Sequence, residues 1–324
     1  MVMNNEPWKA RKVVIVGAGT VGSTFAYALA QSGLADEIVL IDQNRELVLG
    51  QVLDLAHGLP FLPAVRMRSG EVIDYADAHV IVVTAGTKQR PGESRLSLLQ
   101  RNAGITGAIV DDIVAQNSQG VILIVTNPVD VLTYLAIKRS TWPRERIIGS
   151  GTVLDSSRFR YLLSQQCSID VHNVHAYILG EHGDSEFAAW SLTHIGGIAI
   201  DEYCPICGKC SNWKEQRDKI AQEVRDSAYH IIDYKGATYY AIGLALVKIA
   251  GAILRNQRSV LSVSTLLDGE YDLRDVCLSV PTIVAQRGIE RIVQGSLSSE
   301  EAECLARSAA VLKEAIAELE QTDK

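Results

Sequence analysis

The stretch that most limits what this chain can fold into is Lys12-Val13-Val14-Ile15-Val16, a β-branched run cut off by Gly17-Ala18-Gly19-Thr20-Val21-Gly22. Ser23 to Ser32 then continues with small and apolar residues at helical spacing. In a strand, glycine turn and helix of this kind the first glycine permits the tight turn and the second lets the backbone approach a pyrophosphate. The third lets the helix lie close, and the helix N-terminus supplies N–H groups and positive dipole. A second strand, Glu37 to Ile41, ends in Asp42, 20 residues after Gly22. A carboxylate there can accept hydrogen bonds from an adenosine ribose and would repel the extra phosphate of NADP, so the pattern points to NAD.

Further strands are expected at Val65–Arg68, His79–Thr84 and Val121–Val125 with helices between them, the alternation of a parallel, doubly wound sheet. Thr84, Ala85 and Gly86 lie at a strand's carboxyl end, where such sheets bind ligands. They join Gly17, Gly19, Val21, Gly22 and Asp42 as cofactor-binding candidates, and Asn127, on the Thr126-Asn127-Pro128 turn after the Val121–Val125 strand, faces the same crevice. Ala85 to Arg95 is polar, hinged by Gly86, Gly92 and Pro91, and carries three cationic side chains. It reads as a lid that handles anions.

At 324 residues and 47% apolar content, with mean hydropathy +0.10, the chain has material for a large α/β unit or two ordinary ones. A net charge of −7 without basic runs argues against nucleic-acid and anionic-membrane partners. Neither a signal peptide in residues 1–12 nor about 18 consecutive apolar residues is found, so the expected location is the cytoplasm.

Chemistry concentrates downstream. Gly180-Glu181-His182-Gly183-Asp184 puts an imidazole on a glycine-flanked turn after the apolar run Ala176–Leu179, a place for proton exchange if a carboxylate holds the ring. Asp155 and Arg158 are three apart on an expected helix and share a face. Either they form a surface ion pair or, given Val153, Leu154, Phe159 and Leu162 around them, a functional one.

Taken together these motifs, with Lys235-Gly236-Ala237-Thr238-Tyr239-Tyr240, resemble the L-lactate dehydrogenases within the lactate and malate dehydrogenase group, over nearly the whole chain. The resemblance implies a Rossmann-type domain over residues 1–149 and an α+β substrate domain over 150–324, with His182, Asp155 and Arg95 as catalytic residues. It implies that His182 protonates the pyruvate carbonyl oxygen as hydride arrives and takes the proton back from L-lactate, that Asp155 orients it, and that Arg95 polarises the carbonyl. Arg158 would grip the carboxylate, Asn127 would support the oxygen and the nicotinamide, and Thr238 would close the pocket. Malate dehydrogenases place an arginine two residues before the lid proline; Gln89 stands there, which favours pyruvate's methyl group. Arg160 and His175 match positions that bind the activator fructose bisphosphate between subunits in bacterial members, and the group's pattern favours a homotetramer.

Two expectations concern metal. The other histidines lack a matching motif and build no metal site. Cys204, Cys207 and Cys210 form overlapping C-x-x-C spacings in a segment usually variable in the family; with no obvious fourth ligand they are expected to be thiols, zinc or a disulfide being the alternatives. Cys167, Cys277 and Cys304 fall in apolar patterns and are expected in the core. Helices at Trp213–Tyr234 and Ala237–Leu254, strands at Ser259–Leu267 and Val276–Ala285, and a last helix opened by a Ser298/Glu301 capping box complete the expected chain.

Overall fold

Strands β1 (Lys12–Val16), β2 (Glu37–Ile41), β3 (Arg66–Ser69), β4 (Val80–Val83), β5 (Val121–Ile124) and β6 (Ile147–Gly149) alternate with helices α1 (Thr20–Ser32), α2 (Arg45–His57), α3 (Arg95–Ala115) and α4 (Val129–Ser140) in the computed structural model, which describes residues 10–88, 95–209 and 212–322. After helix α5 (Val153–Cys167) come two-residue strands β7 (Val174–His175), β8 (Ile178–Leu179), β9 (Phe187–Ala188), β10 (His194–Ile195) and β11 (Ile198–Ala199). Helices α6 (Ile200–Cys207), α7 (Trp213–Lys235) and α8 (Tyr240–Leu254), strands β12 (Ser259–Asp268), β13 (Arg274–Ala285) and β14 (Gly288–Ile292), and helix α9 (Ser299–Thr322) follow.

The main sheet has the order β14-β13-β12-β6-β5-β4-β1-β2-β3. Its β3 to β6 portion is parallel, and an antiparallel β12–β13–β14 set is joined to β6 where Ser264 faces Gly149. Alternating residues along β1, β4 and β5 explain why these strands read as unbroken apolar runs. Val14, Ile81 and Ile122 face one core with α3, α4 and α9; Val13, Val80 and Val121 face the other with α1 and α8. A parallel sheet covered on both faces has no polar side to show.

Differences from expectation have local causes. Helix α1 begins at Thr20 rather than Ser23, because Gly22 lies buried in its first turn. Helix α8 begins at Tyr240 rather than Ala237, because Gly236 takes the left-handed conformation that ends α7 and residues 237–239 form the connection. Strand β14 was not foreseen. The capping box at the start of α9 forms in both directions, Ser298 N–H donating to Glu301 and Glu301 N–H to Ser298 Oγ. The segment expected as variable surface instead carries Cys204 and Cys207 on α6, Cys204 being buried; Cys210 lies outside the described residues. Cys167 and Cys277 are buried as expected, while Cys304 is only partly so. Among the described residues, no helix is long and apolar enough to cross a membrane.

Candidate active site

Parallel strands all end on one edge, so residues just past β1, β2, β4, β5 and β6 are gathered whatever their separation in sequence. Gly17, Asp42, Thr84, Asn127 and Gly151 are brought to that edge in this way. The first βα turn is held from several sides. Gly17 N–H donates to Ile41 C=O at 2.8 Å, and Asp42 Oδ2 accepts from Ala18 N–H at 2.8 Å. Thr84 Oγ1 donates to Val16 C=O and Gly17 C=O at 3.1 and 3.0 Å.

A Cβ at Gly22 would stand 1.9 Å from Gly17 O and 2.8 Å from Thr84 Oγ1, whereas one at Gly19 would meet nothing within 4 Å. Gly19 is the N-cap of α1 and offers no side-chain cap, so the N-terminal amides of that helix are left for a ligand. Turn, uncapped helix end and Asp42 carboxylate together fit a dinucleotide. Gly22→Ala should cost about 1–3 kcal/mol of stability and weaken NADH binding, as read by denaturant unfolding and by NADH titration. Unchanged values in both would mean that α1 can withdraw from the turn.

The lid is anchored at its start. Asn102, on α3, accepts from Thr87 N–H at 2.9 Å and donates to Asn127 C=O at 2.9 Å, while Arg101 reaches Thr87 Oγ1 and Lys88 C=O. The Asn127 side chain itself is exposed, and the Asn127–Pro128 peptide is cis. Gln89 lies outside the described residues, and Arg95 is described only in its backbone, as the first residue of α3.

Helix α5 and strand β8 are stitched together: Thr152 Oγ1 donates to Ile178 C=O at 2.5 Å, and Ser156 Oγ accepts from Ile178 N–H at 2.9 Å. Gly180, at φ +95°, bridges to Ser279 of β13, and a Cβ there would come within 2.7 Å of Ser308 Oγ. That geometry favours glycine and fixes the turn behind it. The result brings His182 Nδ1 to 2.6 Å from Asp155 Oδ2, while Arg158 Nη1 lies 2.6 Å from Asp155 Oδ1. The pairing that the sequence could only suggest, Asp155 with both His182 and Arg158, is present.

Asp155 is 2% exposed and sits in the first turn of α5, where the helix dipole favours a carboxylate. Burial works against its charge, but His182 and Arg158 outweigh burial and hold the carboxyl below its ordinary range. The Asp155 charge in turn pushes His182 up to about 9, against the opposing effect of burial. The imidazole remains 27% exposed, so it is screened on one side but open to an incoming molecule.

Two carboxylates that sequence reasoning missed complete this centre. Asp130, on α4, accepts from His182 N–H at 2.8 Å, and burial raises it to about 6. Glu186 is 6% exposed, and burial, followed by the Asp155 charge, raises it to about 8. Asp155, His182 and Glu186 each bring one ligating atom within 4.8 Å of the others. The available signals were slight: Asp130 closes the Thr126–Asp130 turn, and Glu186 precedes the apolar Phe187-Ala188-Ala189. Replacing Asp130 with leucine leaves the His182 N–H without its acceptor, and urea unfolding should show a loss of about 1–3 kcal/mol.

The remaining candidates make contacts of their own. Thr238, partly buried, sits in the α7–α8 connection. Arg160 of α5 approaches Val171 C=O at 3.4 Å with its Nε buried and unpartnered, and exposed His175 pairs across the small sheet with His194. Other histidines have local roles: His172 pairs with Asp170, His230 stacks on Tyr234, and His79 accepts from Lys12 N–H.

Comparison with known proteins matches two sequence models of one family: the lactate/malate dehydrogenase NAD binding domain over residues 11–149, and the lactate/malate dehydrogenase alpha/beta C-terminal domain over residues 152–322. An L-lactate dehydrogenase of Treponema denticola is 59% identical over 312 residues, 96% of this chain and 99% of that one. One from Acetivibrio thermocellus is 50% identical, covering 98% and 100%. Among solved structures, a lactate dehydrogenase from a Medee basin deep-sea metagenome library superposes with TM-score 0.93 at 42% identity, covering 97% and 100% of the two chains. The minor L-lactate dehydrogenase of Enterococcus mundtii in its ligands-bound form gives 0.92 at 42%, covering 95% and 98%.

Proposed function

The chain belongs to the lactate/malate dehydrogenase family and is an NAD-dependent oxidoreductase, and from that premise we propose that it interconverts pyruvate and L-lactate with His182 as the proton donor and acceptor. The observation that carries this reading is the 2.6 Å contact between His182 Nδ1 and Asp155. NAD supplies a hydride acceptor, its reduced form a hydride donor, and the turn from Gly17 to Gly22 with Val21, Asp42 and Thr84–Gly86 would hold it.

With Nδ1 engaged by Asp155, Nε2 is the imidazole nitrogen left to exchange a proton with the substrate oxygen. Asp155 favours the imidazolium, so pyruvate meets a charged acid and lactate oxidation must wait for a neutral base. Arg158 keeps guanidinium N–H groups beyond the one given to Asp155, and these suit a carboxylate in a way that a lysine does not. Arg95 would reach the carbonyl oxygen on lid closure and stabilise developing alkoxide charge, Asn127 would support the same oxygen, and Thr238 would bound the methyl pocket. The division of labour runs at about residue 149, residues 1–149 serving the cofactor and 150–324 the substrate.

Gln89 selects pyruvate by offering no partner to a second carboxylate. Arg160 and His175 would form half of an anion site for fructose bisphosphate in a homotetramer, and the enzyme would work in the cytoplasm as the last step of lactate fermentation. Steady-state NADH oxidation with pyruvate and with oxaloacetate, each with and without fructose bisphosphate, tests substrate and regulation together. Pyruvate should lead by roughly a hundredfold in kcat/KM, and Gln89→Arg should move preference toward oxaloacetate. A lead for oxaloacetate in the unaltered chain overturns the reading of Gln89.

A further inference from the structure

His182 sits on the turn between β8 and β9, and the backbone of that turn is anchored from two helices. One anchor is the Asp130 carboxylate of α4, which accepts from His182 N–H. The other comes from α9. Ser308 Oγ, on a fully buried side chain, accepts from Glu181 N–H at 2.6 Å and lies 3.0 Å from Ser185 Oγ. Ser185 Oγ in turn donates to Glu181 Oε2 at 2.5 Å. A hydroxyl has one hydrogen to give, and Ser185 gives its own to Glu181, so the hydrogen between the two serines belongs to Ser308. The bonds therefore run from Glu181 N–H through Ser308 and Ser185 back to the Glu181 carboxylate. They close a ring around the segment Glu181 to Ser185, with His182 inside it.

We propose that Ser308 is a positioning residue for the hydride-transfer reaction, holding the turn that aims His182 at the substrate oxygen; this rests on the pyruvate reading given above. Nothing in sequence announces it, since Ser308 is 127 positions from Glu181 and 123 from Ser185. Bonds that all run in one sense polarise one another, and a buried ring has no water to compete with it at Ser308. Gly180 lets α9 come this close, because a Cβ there would meet Ser308 Oγ at 2.7 Å.

The register of α9 is set independently. Glu301 precedes Ser308 by seven positions and so lies on the same face of the helix. Its carboxylate accepts from Ser298 N–H, Ser191 N–H and Ser191 Oγ. Between them Leu305, with Ala309 and Leu312 beyond, packs in the same core as Leu179 and Phe187, which flank the turn. Helix α9 thus grips the β8–β9 hairpin at its turn and again just past β9, and cannot slide without breaking both contacts. Ser308 carries no charge, so what it gives His182 is direction. Removing the hydroxyl leaves Glu181 N–H without its acceptor and opens the ring.

Ser308→Ala should lower kcat for pyruvate about 10- to 100-fold, the scale set by moving a reacting group by up to ~1 Å, while NADH affinity stays within about twofold. Proton and hydride transfer then limit turnover, so NADH deuterated at the transferred position should slow Ser308→Ala more than it slows the unaltered enzyme. Ser185→Ala opens the same ring, and the double variant should lose less than the product of the two single losses. Should Ser308→Ala fail to fold, Ser185→Ala on the half-buried turn decides by the same readings. Ser140→Ala is the control: it deletes a buried hydroxyl that donates to Ile137 C=O and accepts from Trp142 N–H at the far end of α4, and should affect stability alone. Turnover and isotope effect in Ser308→Ala that match this control, or single losses that multiply in the double variant, overturn the proposal and leave the pyruvate reading in place. An unaltered chain that does not reduce pyruvate overturns both.

Discussion

Pyruvate reduction by His182→Asn should fall about 10²–10⁴-fold in kcat while NADH affinity stays within about twofold, the span expected when a positioned acid is removed and binding is left alone. Asparagine can still donate to Asp155, so the buried carboxylate, 2% exposed, keeps a partner and the fold should survive. Asp155→Asn asks a different question. Its amide could still reach the ring but brings no charge, so the imidazolium loses the group that chiefly raises it toward about 9. The deficit should then be largest for pyruvate, which needs the charged acid, and smaller for lactate, which needs the neutral base. Stopped-flow NADH absorbance in both directions measures the two effects. Equal losses in both would mean that Asp155 works through orientation alone, and unchanged turnover in His182→Asn would remove this histidine from the chemistry.

Much of this centre can be read without coordinates, because the family's motifs are local. The glycine turn with Asp42, the Asp155–Arg158 spacing and the His182 turn each occupy a few consecutive residues. The Gly17 N–H to Ile41 C=O bond and the Asp42 to Ala18 bond then follow from how a βα turn must close. The apolar strands were equally legible, since a doubly covered parallel strand has only one pattern to show. Asp130 and Glu186 were missed for the opposite reason. Their importance comes from burial beside His182, and burial is settled by elements far away in sequence: α4 for Asp130, and the β8–β9 hairpin with Phe187 for Glu186. Strand β14 and helix α6 were missed because short amphipathic pieces offer too few periods to register. The apolar cluster that joins Cys167 at the end of α5 to Cys204 within α6 belongs to the same class, since no spacing rule encodes it.

Glu186 matters most where pH is varied. His182 is raised to about 9, so its protonated form should prevail through neutral pH, and pyruvate kcat/KM should stay level and then fall roughly tenfold per pH unit above about 9. Lactate oxidation should climb as pH approaches about 9 and level off above it. Stability carries the matching sign: a histidine with a raised folded pKa contributes fully below its unfolded value of about 6.5 and loses that contribution as pH rises through about 9. Glu186, raised to about 8 by burial first and the Asp155 charge second, ionises inside this window and adds a second negative charge facing the ring. The groups facing that space are Asp155 and Arg158 on α5, Asp130 on α4, Arg225 on α7 and His182 itself. Glu186→Gln removes the charge while keeping the shape, so the limb for pyruvate should move below that of the unaltered enzyme, and lactate oxidation should reach its plateau at lower pH. A limb that stays in place, measured by pH profiles of kcat/KM in both directions, would mean that Glu186 remains protonated throughout and that Asp155 alone sets the proton affinity of His182.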